Sequence, residues 1–245
     1  MKIVVSDLTD FLTFDKIDQN VEAINGFVKK GNLFILATNK AMNFLAEDLS
    51  MINLNCEYYI CNNGAVIFDR YFNVVYRKDI KQELVRPIFN LLADNENILE
   101  TFIDTSHGYV RDTNKSANGL VARPYDINKA NLLLGKITRK YPEVHGYIDD
   151  SCMNIIDSKV NKAAALDYLL NSYNYNPEDV VVSAVSATDV ELAENYTCYA
   201  FKTSMEDLKD KAIKTVKDIS ELIAEITPKE ENIEDDFEFN LEDYL

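Results

Sequence analysis

The chain has 245 residues, 47% of them apolar, which suits a folded protein of one domain with an insert or of two small domains. Its formal net charge of −16 repels nucleic acid and anionic membrane surfaces, so neither is expected as a main partner; a small phosphorylated ligand needs only local positive charge. No window approaches 18 apolar residues, and the opening MKIVVSDL is too short and too polar for a signal peptide, so the expectation is a cytoplasmic protein without a membrane span.

In chain order, KIVV reads as a buried strand that runs directly into Asp7, with a second carboxylate, Asp10, three positions on. Residues 16 to 29 place Ile17, Val21, Ile24 and Val28 at helical spacing. NLFILAT (32 to 38) is a second continuous apolar strand ending at Thr38, and AMNFLAEDL is a helix. EYYICNN is a third strand, and AVIFD with NVVYR forms a hairpin around Arg70 to Phe72. Strands alternating with helices predict parallel βαβ units and an α/β sheet.

The rhythm changes near residue 79. A helix over 80–94 precedes strands near 98–103 and 107–112. After the polar stretch DTNKSANG come a helix over 127–140 and strands near 144–149 and 152–157. That is α-β-β twice, the pattern of a small α+β layer. From Lys159 the first rhythm returns, with helix NKAAALDYLL, strand DVVVSAV, helix TDVELAEN, strand CYAF and a helix around 205–226. The economical reading is an α/β domain of residues 1–79 and 159–228 carrying an inserted domain of residues 80–158. The last seventeen residues, 229–245, hold eight acidic residues and one lysine. They cannot build a core alone and read as a solvated, disordered tail. The sharper alternative is a peptide that docks on a basic, apolar groove of a partner or of the same chain.

Four cysteines (Cys56, Cys61, Cys152, Cys198) contain no CxxC pair and read as free thiols of a reducing compartment. His107 and His145 fall in the insert without metal-ligand spacing, and Arg111 and Arg123 lie where an anionic substrate could meet them.

Ligands of open α/β sheets bind outside the carboxyl ends of the strands. Four residues fall there: Asp7, Thr38, Lys162 at the start of the helix after the insert, and Asp189 after DVVVSAV. A carboxylate nucleophile, a hydroxyl, a lysine and a second carboxylate make a set suited to phosphoryl transfer. Taken singly each is weak, since a threonine ending a strand or a lysine opening a helix is usually structural.

In order and spacing these motifs resemble the haloacid dehalogenase superfamily, within it the Cof-type phosphatases with a type-two (IIB) cap, over about residues 1 to 226. The segment YYICNNGAVIFD (58 to 69) resembles the stretch that precedes the family's cap. The resemblance implies a Rossmannoid core with an αββαββ cap, Asp7 as nucleophile, Thr38 and Lys162 as phosphate-binding residues, and Mg2+ held by Asp7 and Asp189. The departures are equally specific. In the family's DxDGT motif the second aspartate is the general acid/base; here DLTDF puts Thr9 in its place, and Asp10 and Phe11 where Gly and Thr belong. Its GDxxND motif aligns with AVSATD, so the first magnesium aspartate is Val185 and only Asp189 remains. General acid/base assistance contributes roughly 10²–10⁴ in rate, and Thr9 cannot supply it at neutral pH. Asp10, one position further along, is the candidate substitute.

Two readings result. The favoured one is a pseudophosphatase that keeps the fold and acts by binding, with a small phosphorylated ligand and a protein partner for the acidic tail as candidates. The other is an active magnesium-dependent phosphomonoesterase acting on a small sugar or nucleotide phosphate through an aspartyl-phosphate on Asp7.

Overall fold

The computed structural model describes residues 1–8, 16–149 and 151–227. Expectations for Thr9, Asp10, Phe11 and the tail 229–245 lie outside the described residues. β1 (Ile3–Ser6) is buried throughout, with Val4 facing one apolar layer and Ile3 and Val5 the other. Burial on both faces is why the strand reads as a continuous apolar run. α1 (Ile17–Lys29) turns Ile24 and Phe27 inward, and β2 (Leu33–Ala37) lies parallel to β1, with Leu33 beside Ile3. α2 (Met42–Leu49) leads to β3 (Tyr58–Cys61), and β4 (Val66–Asp69) and β5 (Val74–Arg77) continue the sheet antiparallel.

The insert follows, with α3 (Gln82–Ala93), β6 (Ile98–Thr105), β7 (Gly108–Val110), β8 (Gly119–Pro124), α4 (Ile127–Lys140), β9 (Val144–Asp149) and β10 (Cys152–Asp157). Its strands form an antiparallel sheet in the order β7-β6-β8-β10-β9. β8 is an addition to the expected α-β-β doublet and lies at the sheet's centre, paired with β6 and β10. Its apolar run, Leu120 to Ala122, is too short to show a period. Val85, Ile88 and Leu92 of α3 and Leu134 and Ile137 of α4 cover one face of this sheet. On the other face Ile156 and Tyr147 join the apolar layer of Val4 and Phe34, so the insert sits on the first sheet as a cap.

The chain returns through α5 (Lys162–Tyr173), β11 (Val180–Ala184), α6 (Val190–Asn195), β12 (Thr197–Phe201), α7 (Glu206–Lys211), β13 (Lys214–Val216) and α8 (Ile219–Ile226). The single helix expected around 205–226 is thus two helices divided by an edge strand. Three residues of strand carry no periodic signal, and the surrounding Glu and Lys favour helix. The eight strands are ordered β13-β12-β11-β1-β2-β3-β4-β5. The chain leaves β1 towards β2 and comes back beside β1 at β11, both parallel to it, so the strand order reverses at β1. That switch point is where ligands enter such sheets.

Among the described residues no helix is long and apolar enough to cross a membrane, and all four cysteines are free thiols, Cys152 half-buried and the others buried. His107 is exposed, and a ring nitrogen of His145 lies 3.1 Å from the Val160 carbonyl.

One turn fixes the cap-side end of the core. Asn62, Asn63 and Gly64, just after β3, have φ of 51°, 54° and 99°. Asparagine and glycine are the residues that tolerate this region. Gly64 lies so close to the start of α5 that an added Cβ would stand 2.2 Å from the Asn161 carbonyl oxygen. Gly64→Ala is therefore expected to lower stability by roughly 1–3 kcal/mol, from strain plus displacement of Asn161. Gly31→Ala, with φ 83° but open space around it, should cost less. Urea denaturation midpoints of the two variants compare them directly.

Candidate functional site

Asp7 follows β1 without a break, and the parallel neighbours β2 and β11 deliver Thr38 and Asp189 to the same end of the sheet. Lys162 comes from the first turn of α5. Asn161 caps that helix, its side-chain oxygen accepting the Ala164 N–H at 2.7 Å, and this cap sets the direction in which Lys162 leaves the helix.

Lys162 is fully buried and its Nζ donates to Asp7 Oδ2 at 2.5 Å and to Asp189 Oδ1 at 2.6 Å. Asp189 is buried as deeply, while Asp7 keeps 11% of its side chain exposed. Burial would favour the neutral amine, but the carboxylates of Asp189 and Asp7 outweigh it and hold Lys162 well above the ordinary lysine pKa. Burial likewise disfavours the Asp189 carboxylate; Lys162 and the local N–H donors override it and hold its pKa below the usual value. Those donors are specific. Asp189 Oδ2 accepts from Val185 N at 3.1 Å, Ser186 N at 2.9 Å and Ser186 Oγ at 3.2 Å, a reciprocal capping box around residues 186–189. Both oxygens of Asp189 are committed.

Thr38 is buried on the adjacent strand. Its N–H donates to the Ile60 carbonyl at 2.8 Å, its carbonyl accepts from Asn63 N at 3.0 Å, and its hydroxyl accepts from Lys40 N at 3.3 Å. The structure thus joins three of the four expected residues, Asp7, Lys162 and Asp189, by direct contact, with Thr38 at the next strand end. Asp10 lies outside the described residues. Arg111 and Arg123 both pair with Glu100, at 3.4 and 3.5 Å, on the exposed part of the cap sheet. Asn161 and Ser186, which aim the lysine and hold the carboxylate, went unnoticed in the sequence. The S-x-x-D spacing of Ser186 and Asp189 and the Asn-Lys helix start are the signals that mark them.

Mg2+ wants near-octahedral oxygen ligands. Among the described residues no group of three or more His, Cys, Asp or Glu could hold a metal ion. Asp189 has no uncommitted oxygen, and the Val185 side chain packs against the apolar layer that includes Phe201 and Leu8. The described donor set does not fit a magnesium site.

A model of the haloacid dehalogenase-like hydrolase family matches residues 13–140, just over half the chain. The chain belongs to this family, and its solved neighbours are haloacid dehalogenase/Cof-like hydrolases. The matched span contains Thr38 but neither Asp7, Lys162 nor Asp189. Two relatives provisionally named phosphatases are similar to it. The one from Buchnera aphidicola is 31% identical over 121 residues, a match spanning 48% of this chain and 45% of that protein. The one from Haemophilus influenzae is 23% identical over 221 residues, spanning 78% of this chain and 81% of that protein. Among solved structures, a subclass IIB sugar phosphatase superposes with a TM-score of 0.73 at 16% identity, covering 90% of this chain and 95% of its own.

Replacing Lys162 by Met leaves Asp189 buried without its counter-charge. Lys162→Met should cost about 3–5 kcal/mol at pH 7. Paired with lysine, Asp189 stabilises the fold above the ordinary carboxylate pKa and loses that contribution as pH falls. In the variant the buried carboxyl lacks its counter-charge and its neutral form is favoured, so the variant regains stability as pH falls and the gap should narrow at pH 4, which urea titrations at the two pH values will measure.

Proposed function

We propose that this protein is a haloacid dehalogenase-like phosphatase relative that has lost phosphoryl transfer and acts by binding. The observation that carries this reading is the closed Asp7–Lys162–Asp189 triad, in which Asp189 is saturated by Lys162, Val185 N, Ser186 N and Ser186 Oγ. The three side chains sum to one negative charge. A phosphoryl group brings nearly two more at neutral pH, and Lys40, the lysine that lines the cleft, is already paired with Asp48 at 2.6 Å. The ligand site on this reading is the cleft between cap and core, a cavity of about 430 Å³ lined by Asn39, Lys40, Phe44 and Asp48 from the core and Tyr109 and Asn154 from the cap. Its polar amides and its aromatic pair, with ring centroids of Phe44 and Tyr109 5.0 Å apart, suit a small polar ligand.

One observation favours the alternative of an active magnesium-dependent phosphomonoesterase. Asp7 remains partly open at the carboxyl end of β1, already paired with a cation, as a nucleophile requires.

Turnover separates the two. Against an aryl phosphate and a panel of sugar and nucleotide phosphates, with and without Mg2+, the protein should show no more hydrolysis than Asp7→Asn. Magnesium-dependent turnover that disappears in Asp7→Asn overturns the proposal and establishes the phosphomonoesterase.

A further inference from the structure

The contact between cap and core contains a carboxylate that the triad does not use. Asp104, on β6 of the cap, is only 7% exposed, and its Oδ1 has no hydrogen-bond partner. Facing it from the core is Asn62, 3% exposed, whose side-chain amide lies within hydrogen-bonding reach of the carboxyl and also donates to the Thr105 carbonyl at 3.3 Å. Asn62 Oδ1 is likewise without a donor. Two buried acceptor oxygens without donors therefore lie at the boundary between cap and core, and the Asp104 carboxyl has neither a cation nor a proton there to satisfy it. A buried unpaired acceptor is costly, and a buried carboxylate without a cation costs more.

The other groups around Asp104 do not provide that charge. Cys61 on β3 and Tyr109 on β7 face it, and burial raises both, the thiol well above its usual value and the phenol to about 12, so both are neutral at pH 7. Asn118, beside β8, accepts from Ser106 Oγ at 3.2 Å and donates to Asp79 Oδ1 at 2.5 Å, and Asp79 is paired with Arg77 at 2.9 Å, so neither supplies a charge to Asp104. His107, in the β6–β7 turn, is exposed and lies against the Phe68 ring. No basic side chain pairs with Asp104 among the described residues.

We propose that seating the cap on the core takes up one proton at Asp104, whose carboxyl O–H then serves the acceptor oxygens left without partners at the Asn62 contact. The proton comes from solvent and returns there when the cap lifts; no other bond changes. Burial pushes the Asp104 carboxyl up to about 7, outweighing the opposing hydrogen bond from the Asn62 amide. In the lifted state the carboxyl is hydrated and titrates near 4. The sign follows from linkage: the closed state is favoured most below the open-state pKa, and that advantage fades as pH rises towards about 7, beyond which it is constant. The position of Asn62 carries this to the site, because Gly64 two residues later abuts Asn161, which caps the helix of Lys162.

The experiment uses the full chain with dyes attached at Leu132→Cys on α4 of the cap and Met51→Cys on the core, both exposed positions, in a Cys152→Ser background. Energy transfer should report an open-to-closed ratio that rises about tenfold per pH unit between pH 4.5 and 6.5 and levels off above about pH 7. Asp104→Asn supplies a permanent donor at the same place and should stay closed across the range. A pH-independent parent, or an Asp104→Asn variant with the parent's pH response, overturns the proposal. Carboxyl 13C NMR of the unlabelled wild type gives an independent reading. One aspartate should titrate near pH 7, and if every aspartate titrates below pH 5 the proposal is wrong whether or not the variant folds.

Discussion

Lys162 reaches Asp7 and Asp189 from a helix start with its side chain fully buried, and an ammonium in that position is tolerable only with carboxylates at hydrogen-bond distance. Three parts of the chain far apart in sequence have to arrive within one ångström-scale geometry. β1 must end at Asp7, the loop after β11 must fold into the box that holds Asp189, and α5 must begin at Asn161. The parallel order β11-β1-β2 does the first two by placing strand ends side by side. The left-handed turn at residues 62–64 does the third by pressing against Asn161. The packing of the core is thus arranged around one ion triad rather than the triad being added to a finished core.

The same turn ties the triad to the cap. Asn63 holds the Thr38 carbonyl, Gly64 abuts Asn161, and Asn62 faces Asp104 across the boundary. Apolar contacts alone, such as Ile156 and Tyr147 against the core layer, would seat the cap without fixing its register. Asn62 adds a directional contact, its amide donating to the Thr105 carbonyl across the boundary at 3.3 Å.

Much of this was legible in the sequence where one physical signal dominated. Fully buried strands announced themselves as apolar runs, and the strand ends then located Asp7, Thr38 and Asp189. Lys162 was found because it opens a helix directly after the insert. What was not legible depended on partners distant in the chain. β8 has three apolar residues and owes its strand to β6 and β10 on either side; β13 has three residues and owes its strand to β12. Asp104 looked like one acid among 41 Asp and Glu, and only the approach of Asn62 makes it exceptional. The saturation of Asp189 was equally hidden, since it needs the backbone N–H groups of Val185 and Ser186 in a particular turn.

Charge balance connects the two unusual substitutions. Relative to the motifs that the chain resembles, Thr9 and Val185 each replace a carboxylate, a loss of two negative charges. A divalent cation brings two positive charges. A site that loses both carboxylates and the cation together keeps the same net charge, and the lysine and its two partners remain a stable unit without it. Loss of only one carboxylate would have left a site poorly matched with or without the ion. With Val185 turned into the apolar layer and both Asp189 oxygens accepting hydrogen bonds, the charges of the triad are paired as they stand, so the pairing gives Asp7 and Lys162 a role in folding that does not require Asp7 to attack phosphorus.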